Sequence, residues 1–251
     1  MSLRNNSSLK LRKRKSKIKA ESWEEYDKLE NELYREFNQN REPTVLGLIK
    51  ISSGKLKNLY LEIPRQTRPL TSRLKTTVFD VLASDIIDKT VLDLFAGTGS
   101  FGFEALSRGA KYVEFVDASK NAEKILITNC KRTGMLVETN VIRQKAEEYL
   151  LNAMEQDKTF DIIFIDPPYK FYNSKDTSRI RYILDNAVKL LPGIRYPRKK
   201  IFKGALIIKH PARYDLSRIA LKGTKSIGRW EFGLNCISIY IVDTAKPKKA
   251  N

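Results

Sequence analysis

From Lys89 onward the chain repeats one pattern, an apolar strand, a turn and a helix, and that pattern leaves few folds open. Thr90–Phe95 reads as a strand, Ala96–Ser100 as a glycine turn and Phe103–Ser107 as the start of a helix. Tyr112–Val116, Thr139–Ile142, Phe160–Ile165 and Ala205–Lys209 read as further strands, separated by helical spacing through Ile125–Ile127, Glu147–Met154 and Ile180–Leu191. Strands joined by helices of this length form a parallel sheet with right-handed crossovers. After His210 the helices stop, and Ser226–Trp230 with Cys236–Val242 are spaced to close the sheet as an antiparallel hairpin. The expected fold is therefore α/β and Rossmann-like, a mostly parallel seven-stranded sheet that binds its ligands at the carboxyl ends of the strands.

Ahead of this region, residues 43–63 alternate around Ser52-Ser53-Gly54 as a β-hairpin. Arg65–Pro69 reads as a loop and Ser72–Leu82 as a helix. The expected division is a basic segment at 1–20, an acidic amphipathic helix within 21–42, a hairpin and helix facing RNA at 43–84, a catalytic domain at 85–243 and a basic tail at 244–251. The net charge of +18 over 251 residues is unevenly spread: residues 1–20 carry +8 with no acid, and residues 21–42 carry −5. Ser22 to Glu25 has the form of a capping box, followed by Trp23, Tyr26, Leu33 and Phe37 at helical spacing. The first twenty residues suit either a solvated, RNA-binding tail or an organelle transit segment.

Several classes are excluded by composition. No apolar run approaches the roughly 18 residues of a membrane helix. Cys130 and Cys236 are too few and too far apart for a disulfide framework or a thiolate metal site, and the single histidine, His210, makes a Ser-His-Asp triad improbable; no metal is expected. A charge of +18 points to a polyanionic partner, bound with a steep salt dependence.

Two strand ends carry the chemistry. The first runs Asp93-Leu94-Phe95-Ala96-Gly97-Thr98-Gly99-Ser100-Phe101-Gly102, where glycines let the backbone turn sharply and approach a ligand. Gly97, Gly99 and Gly102 also satisfy the Gly-x-Gly-x-x-Gly spacing of a dinucleotide fold, and Asp117 could hold the ribose of either NAD or S-adenosylmethionine. Asp93, in an otherwise apolar strand, needs a ligand amino group or turn N–H groups as partner. The other strand end is Asp166-Pro167-Pro168-Tyr169. Consecutive prolines rigidify a turn and leave carbonyls facing outward. The acid can accept N–H bonds from an exocyclic amine, and the aromatic ring offers a face on which a base stacks. This arrangement suits methyl transfer to an amino nitrogen.

Together with Glu104-Ala105-Leu106-Ser107-Arg108-Gly109-Ala110, Arg68-Pro69-Leu70-Thr71-Ser72-Arg73-Leu74-Lys75 and Glu231-Phe232-Gly233-Leu234-Asn235, these motifs resemble the RsmD-type 16S ribosomal RNA guanine-N2 methyltransferases over roughly residues 46–242. The resemblance implies the S-adenosylmethionine-dependent methyltransferase fold, with S-adenosylmethionine as cofactor and the exocyclic amine of a small-subunit rRNA guanine as acceptor. By position, Asp93, Phe95, Ala96, Gly97, Thr98, Gly99, Asp117, Ala118 and Ala146 would line the cofactor pocket. Asp166, Pro167, Pro168 and Tyr169 would hold the guanine, and Arg68, Arg73 and Lys75 would contact phosphates. The expected partner is small-subunit rRNA or an assembly intermediate, bound by a monomer in the cytoplasm, or in a plastid or other organelle if residues 1–42 include a transit segment. Leu70, Lys145 and Lys209 depart from the family pattern, Lys145 where an acid often meets the adenine and Lys209 where Glu more often precedes the histidine. Adenine contact would then fall to the Ala146 backbone or Glu147. His210 is expected to be a satisfied strand-end residue. Other readings are an amino-methyltransferase for adenine, cytosine or a protein side chain, an NAD dehydrogenase, and a non-catalytic RNA-binding assembly protein.

Overall fold

The computed structural model describes residues 45–64, 72–172, 177–193 and 204–243, together with Glu25, Lys28 and Leu29, which are helical. The rest of the acidic helix, the basic segments 1–20 and 244–251, and the Arg65–Pro69 loop with Arg68 lie outside the described residues. Strands β1 (Val45–Lys50) and β2 (Tyr60–Pro64) pair antiparallel, and α1 (Ser72–Leu82) follows. Then come β3 (Thr90–Leu94), α2 (Ser100–Ser107), β4 (Tyr112–Asp117), α3 (Lys120–Thr133), β5 (Thr139–Arg143) and α4 (Ala146–Glu155). The last elements are β6 (Ile162–Ile165), α5 (Ser178–Lys189), β7 (Ala205–Pro211), β8 (Thr224–Phe232) and β9 (Asn235–Val242).

The main sheet has seven strands in the order β5-β4-β3-β6-β7-β9-β8. The first five are parallel, and β9 runs antiparallel to both of its neighbours. Because β3 has β4 on one side and β6 on the other, the winding reverses there and opens a crevice at the strand ends. Period-two alternation sorts the strands onto two cores. Val91, Phe115, Phe164 and Ile207 face α1, α2 and the hairpin, whereas Leu92, Leu94, Ile163, Ile165 and Ile208 face α4 and α5. Among the described residues no helix is long and apolar enough to cross a membrane.

The expected β-hairpin is present, with a long connection between its strands. Ser52-Ser53-Gly54 is not a tight turn between the strands but part of a nine-residue connection, closed by Asn58 N–H to Ile51 O (3.0 Å) and Ile51 N–H to Leu59 O (2.9 Å). Its shape is imposed by α2. Lys55 N–H donates to the Ser107 carbonyl (2.7 Å) and Leu56 N–H to Ser107 Oγ (2.9 Å), while Ser107 Oγ donates to Ser53 O. A Cβ on Gly54, whose φ is +79°, would lie 1.8 Å from the Ser107 carbonyl oxygen, so the glycine is required by the approach of two backbones.

Glu104, fully buried in α2, anchors the same contact. Its carboxylate accepts Ser52 N–H (3.0 Å), Ser53 N–H (3.1 Å) and Ser52 Oγ–H (2.6 Å), and pairs with Lys75 and Arg108, each at 3.2 Å. Burial works against the charged carboxylate, but the Ser52 bonds and the Lys75 charge prevail and hold it below the ordinary range. Lys75 therefore does not serve as a phosphate contact. Its side chain is 1% exposed, and its ammonium is committed to Glu104 and to the Lys50 carbonyl (3.3 Å). The helical phase that buries Leu74, Val78 and Phe79 turns Lys75 inward as well, and only the buried acid makes that tolerable. Arg73, two positions earlier, is exposed.

Rings complete the attachment. Phe79 of α1 stacks on Phe101 of α2 (5.0 Å between centroids, 22° between planes), and Phe101 stacks on Phe164 of β6 (4.1 Å, 9°). Helix α1 is thus coupled through three stacked rings to the strand that leads into Asp166. Removing the anchor should loosen the whole assembly. Glu104→Ala, which strands the buried Lys75 charge, is expected to lower stability by about 3–5 kcal/mol in denaturant unfolding. A loss below ~1 kcal/mol would contradict this role.

Candidate active site

Leu94 of β3 stands level with Val116 of β4 and Ile165 of β6, so the segments that follow these three residues emerge side by side. They are the turn Phe95–Gly99, then Asp117-Ala118, then Asp166–Tyr169. Strand β3 stops at Phe95, which adopts a left-handed φ of +64°. For a bulky residue that conformation costs on the order of 1–3 kcal/mol and is sustained by the surrounding contacts. Gly97 (φ +53°) and Gly99 (φ +72°) continue the turn without that penalty, and Gly99 caps α2. Gly102 has a different role. A Cβ there would lie 2.3 Å from Phe115, so the third glycine of the dinucleotide-like spacing serves helix–strand packing.

Asp93 is 1% exposed and accepts the Gly102 N–H at 3.0 Å, a donor in the first turn of α2 where a ligand amino group or N–H groups of the glycine turn were expected. Burial pushes its carboxyl well above the ordinary range. The Gly102 bond opposes that shift, and the charges of Asp166 and Asp117 add to it. Asp117 accepts Gly97 N–H (2.9 Å) on one oxygen and Ser119 N–H (2.8 Å) on the other, which ties the glycine turn to the start of α3. Burial raises the Asp117 carboxyl as well, against those two bonds. Ala118 beside it is exposed, while Ala146, the first residue of α4, is buried. Thr98 Oγ1 and Ser100 Oγ are buried hydroxyls of the turn without a hydrogen-bond partner. These acceptors, free hydroxyls and a backbone bent outward fit a ligand that is cationic and bears hydroxyls. Among the described residues no three His, Cys, Asp or Glu side chains gather as a metal set.

Tyr169 is drawn down onto the sheet. Its hydroxyl donates to Asn235 at the head of β9, and the residue is 9% exposed. Of the motif, Pro168 is exposed and Asp166 half-buried, while Pro167 and Tyr169 are buried. The Pro168 carbonyl is not free either, because it accepts Phe171 N–H (2.9 Å) and closes a 3-10 turn over Tyr169–Tyr172. Asp166 N–H reaches Leu94 O (3.3 Å), and its carboxylate receives Lys209 of β7 on both oxygens (2.6 and 2.8 Å). Near Ala146, Glu147 pairs with Arg179, whose guanidinium lies 3.8 Å from the Phe171 ring centre, and Phe171 meets Phe95 edge-on (5.9 Å). Lys145 pairs with Glu148 (3.2 Å).

Two contributors escaped the sequence reading. Asn129 of α3 is fully buried and donates from Nδ2 to Thr98 O (3.2 Å) and Glu62 O (3.0 Å), while its Oδ1 accepts Glu62 N–H (2.8 Å). It joins β2 to the glycine turn, and the available signal was a lone amide on the apolar face beside Leu126 and Cys130. Lys209 was noted only as a departure, although it contacts Asp166 directly. His210 is a satisfied strand-end residue. Nδ1–H donates to Pro211 O and Nε2 accepts Ser238 Oγ–H, both at 2.9 Å.

A family model described as conserved hypothetical protein 95 matches residues 49–188. The ribosomal RNA small subunit methyltransferase D of Haemophilus influenzae is 36% identical over 132 residues, covering 51% of this chain and 68% of that protein. Its Escherichia coli counterpart is 29% identical over 179 residues, 70% of this chain and 86% of that one. A solved structure of a hypothetical protein from Thermus thermophilus superposes with a TM-score of 0.59 at 26% identity, covering 76% of this chain and 98% of that one.

Burial lowers the His210 pKa to about 4, so the imidazole is neutral when folded and ionises below about 6.5 once unfolded. The unfolded chain then binds the extra proton, and stability is lost as pH falls from about 6.5 to 4. The contribution is of order 3 kcal/mol. Denaturant unfolding from pH 7 to pH 4.5 is expected to be flatter for His210→Gln than for the unaltered chain, and parallel curves would contradict the assignment.

Proposed function

We infer the function from one premise: the chain belongs to the RsmD family, described as conserved hypothetical protein 95. It is an S-adenosylmethionine-dependent methyltransferase, and the acceptor we propose is the exocyclic N2 amino group of a guanine in small-subunit ribosomal RNA. The observation that carries this reading is the convergence of Asp166-Pro167-Pro168-Tyr169 with the glycine turn and Asp117 at one edge of the sheet. The relatives named ribosomal RNA small subunit methyltransferase D support the acceptor class.

In this proposal the turn Phe95–Gly99 and Ala146 enclose the cofactor, Asp93 holds the turn, and Asp117 with Ala118 faces the ribose hydroxyls. S-adenosylmethionine, when bound, supplies a methyl group on a positively charged sulfur, which the carboxylates at this edge favour electrostatically. Asp166 accepts an N–H of the guanine amino group and so directs the nitrogen lone pair. Pro167 and Pro168 keep that acceptor from swinging away, and Tyr169, tethered to Asn235, forms the wall beside it. With the cofactor bound, a new N–C bond would form as the C–S bond leaves its electron pair on sulfur, and the amine would then shed one proton to water. Asp166 is thus required as an acceptor and not as a strong base.

Arg73 remains a proposed phosphate contact, as does Arg68. The residues from 43 onward carry +15, so the region needs no contribution from residues 1–42 to attract RNA. A target base must leave its stack to reach Asp166, at a cost of a few kcal/mol that is smallest in loops and incompletely folded RNA.

Two measurements test the assignment. Titration calorimetry is expected to give S-adenosylmethionine binding that weakens about tenfold or more in Asp117→Ala; unaltered affinity would remove Asp117 from the pocket, and binding of NAD in place of S-adenosylmethionine would overturn the methyltransferase assignment. Incubation of unmodified small subunits with methyl-labelled S-adenosylmethionine, then nucleoside analysis, is expected to place label in N2-methylguanosine, with a loss of about 100-fold in Asp166→Ala. Label in adenosine or protein, or full activity in the variant, would overturn the reading.

A further inference from the structure

Lys209 departs from the family pattern beside Asp166, since Glu is the more usual residue at its place. Its ammonium donates to Asp166 Oδ1 at 2.6 Å and to Oδ2 at 2.8 Å, and sits 5.2 Å from the centre of the Tyr169 ring. The residue is 8% exposed. Its backbone is fixed as well: Lys209 lies within β7 opposite Ile237 of β9, and its carbonyl accepts the Tyr172 hydroxyl at 2.9 Å. A side chain that is flexible in solution is here confined to one carboxylate.

We propose that Lys209 is a positioning residue for Asp166, holding the carboxylate in the orientation that receives an uncharged amino group. The inference rests on the methyl-transfer reading above. An ionised carboxylate has about four lone-pair directions, and the ammonium uses one on each oxygen, which leaves one on each for an acceptor N–H. Lys209 stays in place when the amine arrives, because leaving would strand a buried cation. The pair is electrically neutral toward the acceptor. It therefore receives the neutral amine of a nucleobase, whereas a protonated lysine or arginine side chain would face an ammonium already seated on the acid.

A double-mutant cycle tests this. Lys209→Met keeps the apolar stem and removes the charge; it is expected to lower kcat about 10- to 100-fold while leaving S-adenosylmethionine affinity unchanged. In an Asp166→Asn background the same substitution is expected to change the rate by less than about threefold, because Lys209 acts only through that carboxylate. Lys209→Arg, which keeps the charge, is expected to recover part of the rate. Wild-type kcat in Lys209→Met, or losses that multiply across the cycle, would overturn the proposal. The rates are compared on whichever nucleoside the unaltered chain labels, so label outside guanosine would defeat the acceptor assignment and leave this comparison readable. A measurement on the unaltered chain is independent of how the variants fold. The Lys209 side-chain 15N resonance of the unaltered chain is expected to be exchange-protected, and a free-lysine signal would equally overturn the proposal.

Discussion

In the parallel ladder Leu94 stands level with Val116 and Ile165, and whatever follows those residues must leave the sheet at the same edge. Asp93, Asp117 and Asp166 are brought together by that register. Their proximity is costly. Burial raises the Asp93 carboxyl, and the neighbouring acids raise it further. Each acid is managed by a different device: a helix N–H for Asp93, two turn N–H groups for Asp117 and an ammonium for Asp166. The edge stays rich in acceptors inside a chain whose net charge is +18. A cationic cofactor and an amine favour the first property, and a polyanionic RNA the second.

The hairpin and α1 belong to the same construction. Ile51, Leu61, Leu74 and Phe79 share one apolar cluster with Phe101, Phe164 and Ile207. Glu104 and Ser107 fix the β1–β2 connection, and Asn129 fixes β2 to Thr98 in the glycine turn. The segment Glu104–Ala110, quoted above as part of a family resemblance, has a physical role of its own: its polar residues face the hairpin, and its apolar ones face the sheet.

The parallel strands and their helices were legible because hydrophobic period changes sharply between them, and α1 was read to its observed ends at Ser72 and Leu82. The β1–β2 hairpin was legible too, but the shape of its connection was not, because that shape is set by Ser107 and Glu104, about fifty residues away, and not by local turn chemistry. Lys75 was misread for a related reason. The family resemblance placed Lys75 among the phosphate contacts by position, and a position says nothing of the buried acid on another helix that claims its ammonium. The motif Asp166–Tyr169 was found from its residues alone, but the burial of its tyrosine follows from Asn235 on β9, and no spacing rule links the two. Asn129 and Lys209 share this feature: their partners lie on other elements, so only the folded chain reveals them.

The central claim is that the acidic edge formed by the ends of β3, β4 and β6 is a nucleoside cofactor site. A crystal structure grown with S-adenosylhomocysteine tests it most directly. Ligand density is expected across Phe95–Gly99, with ribose hydroxyls on Asp117 and the sulfur directed toward Asp166. Density at another surface, or none at saturating ligand, would contradict it.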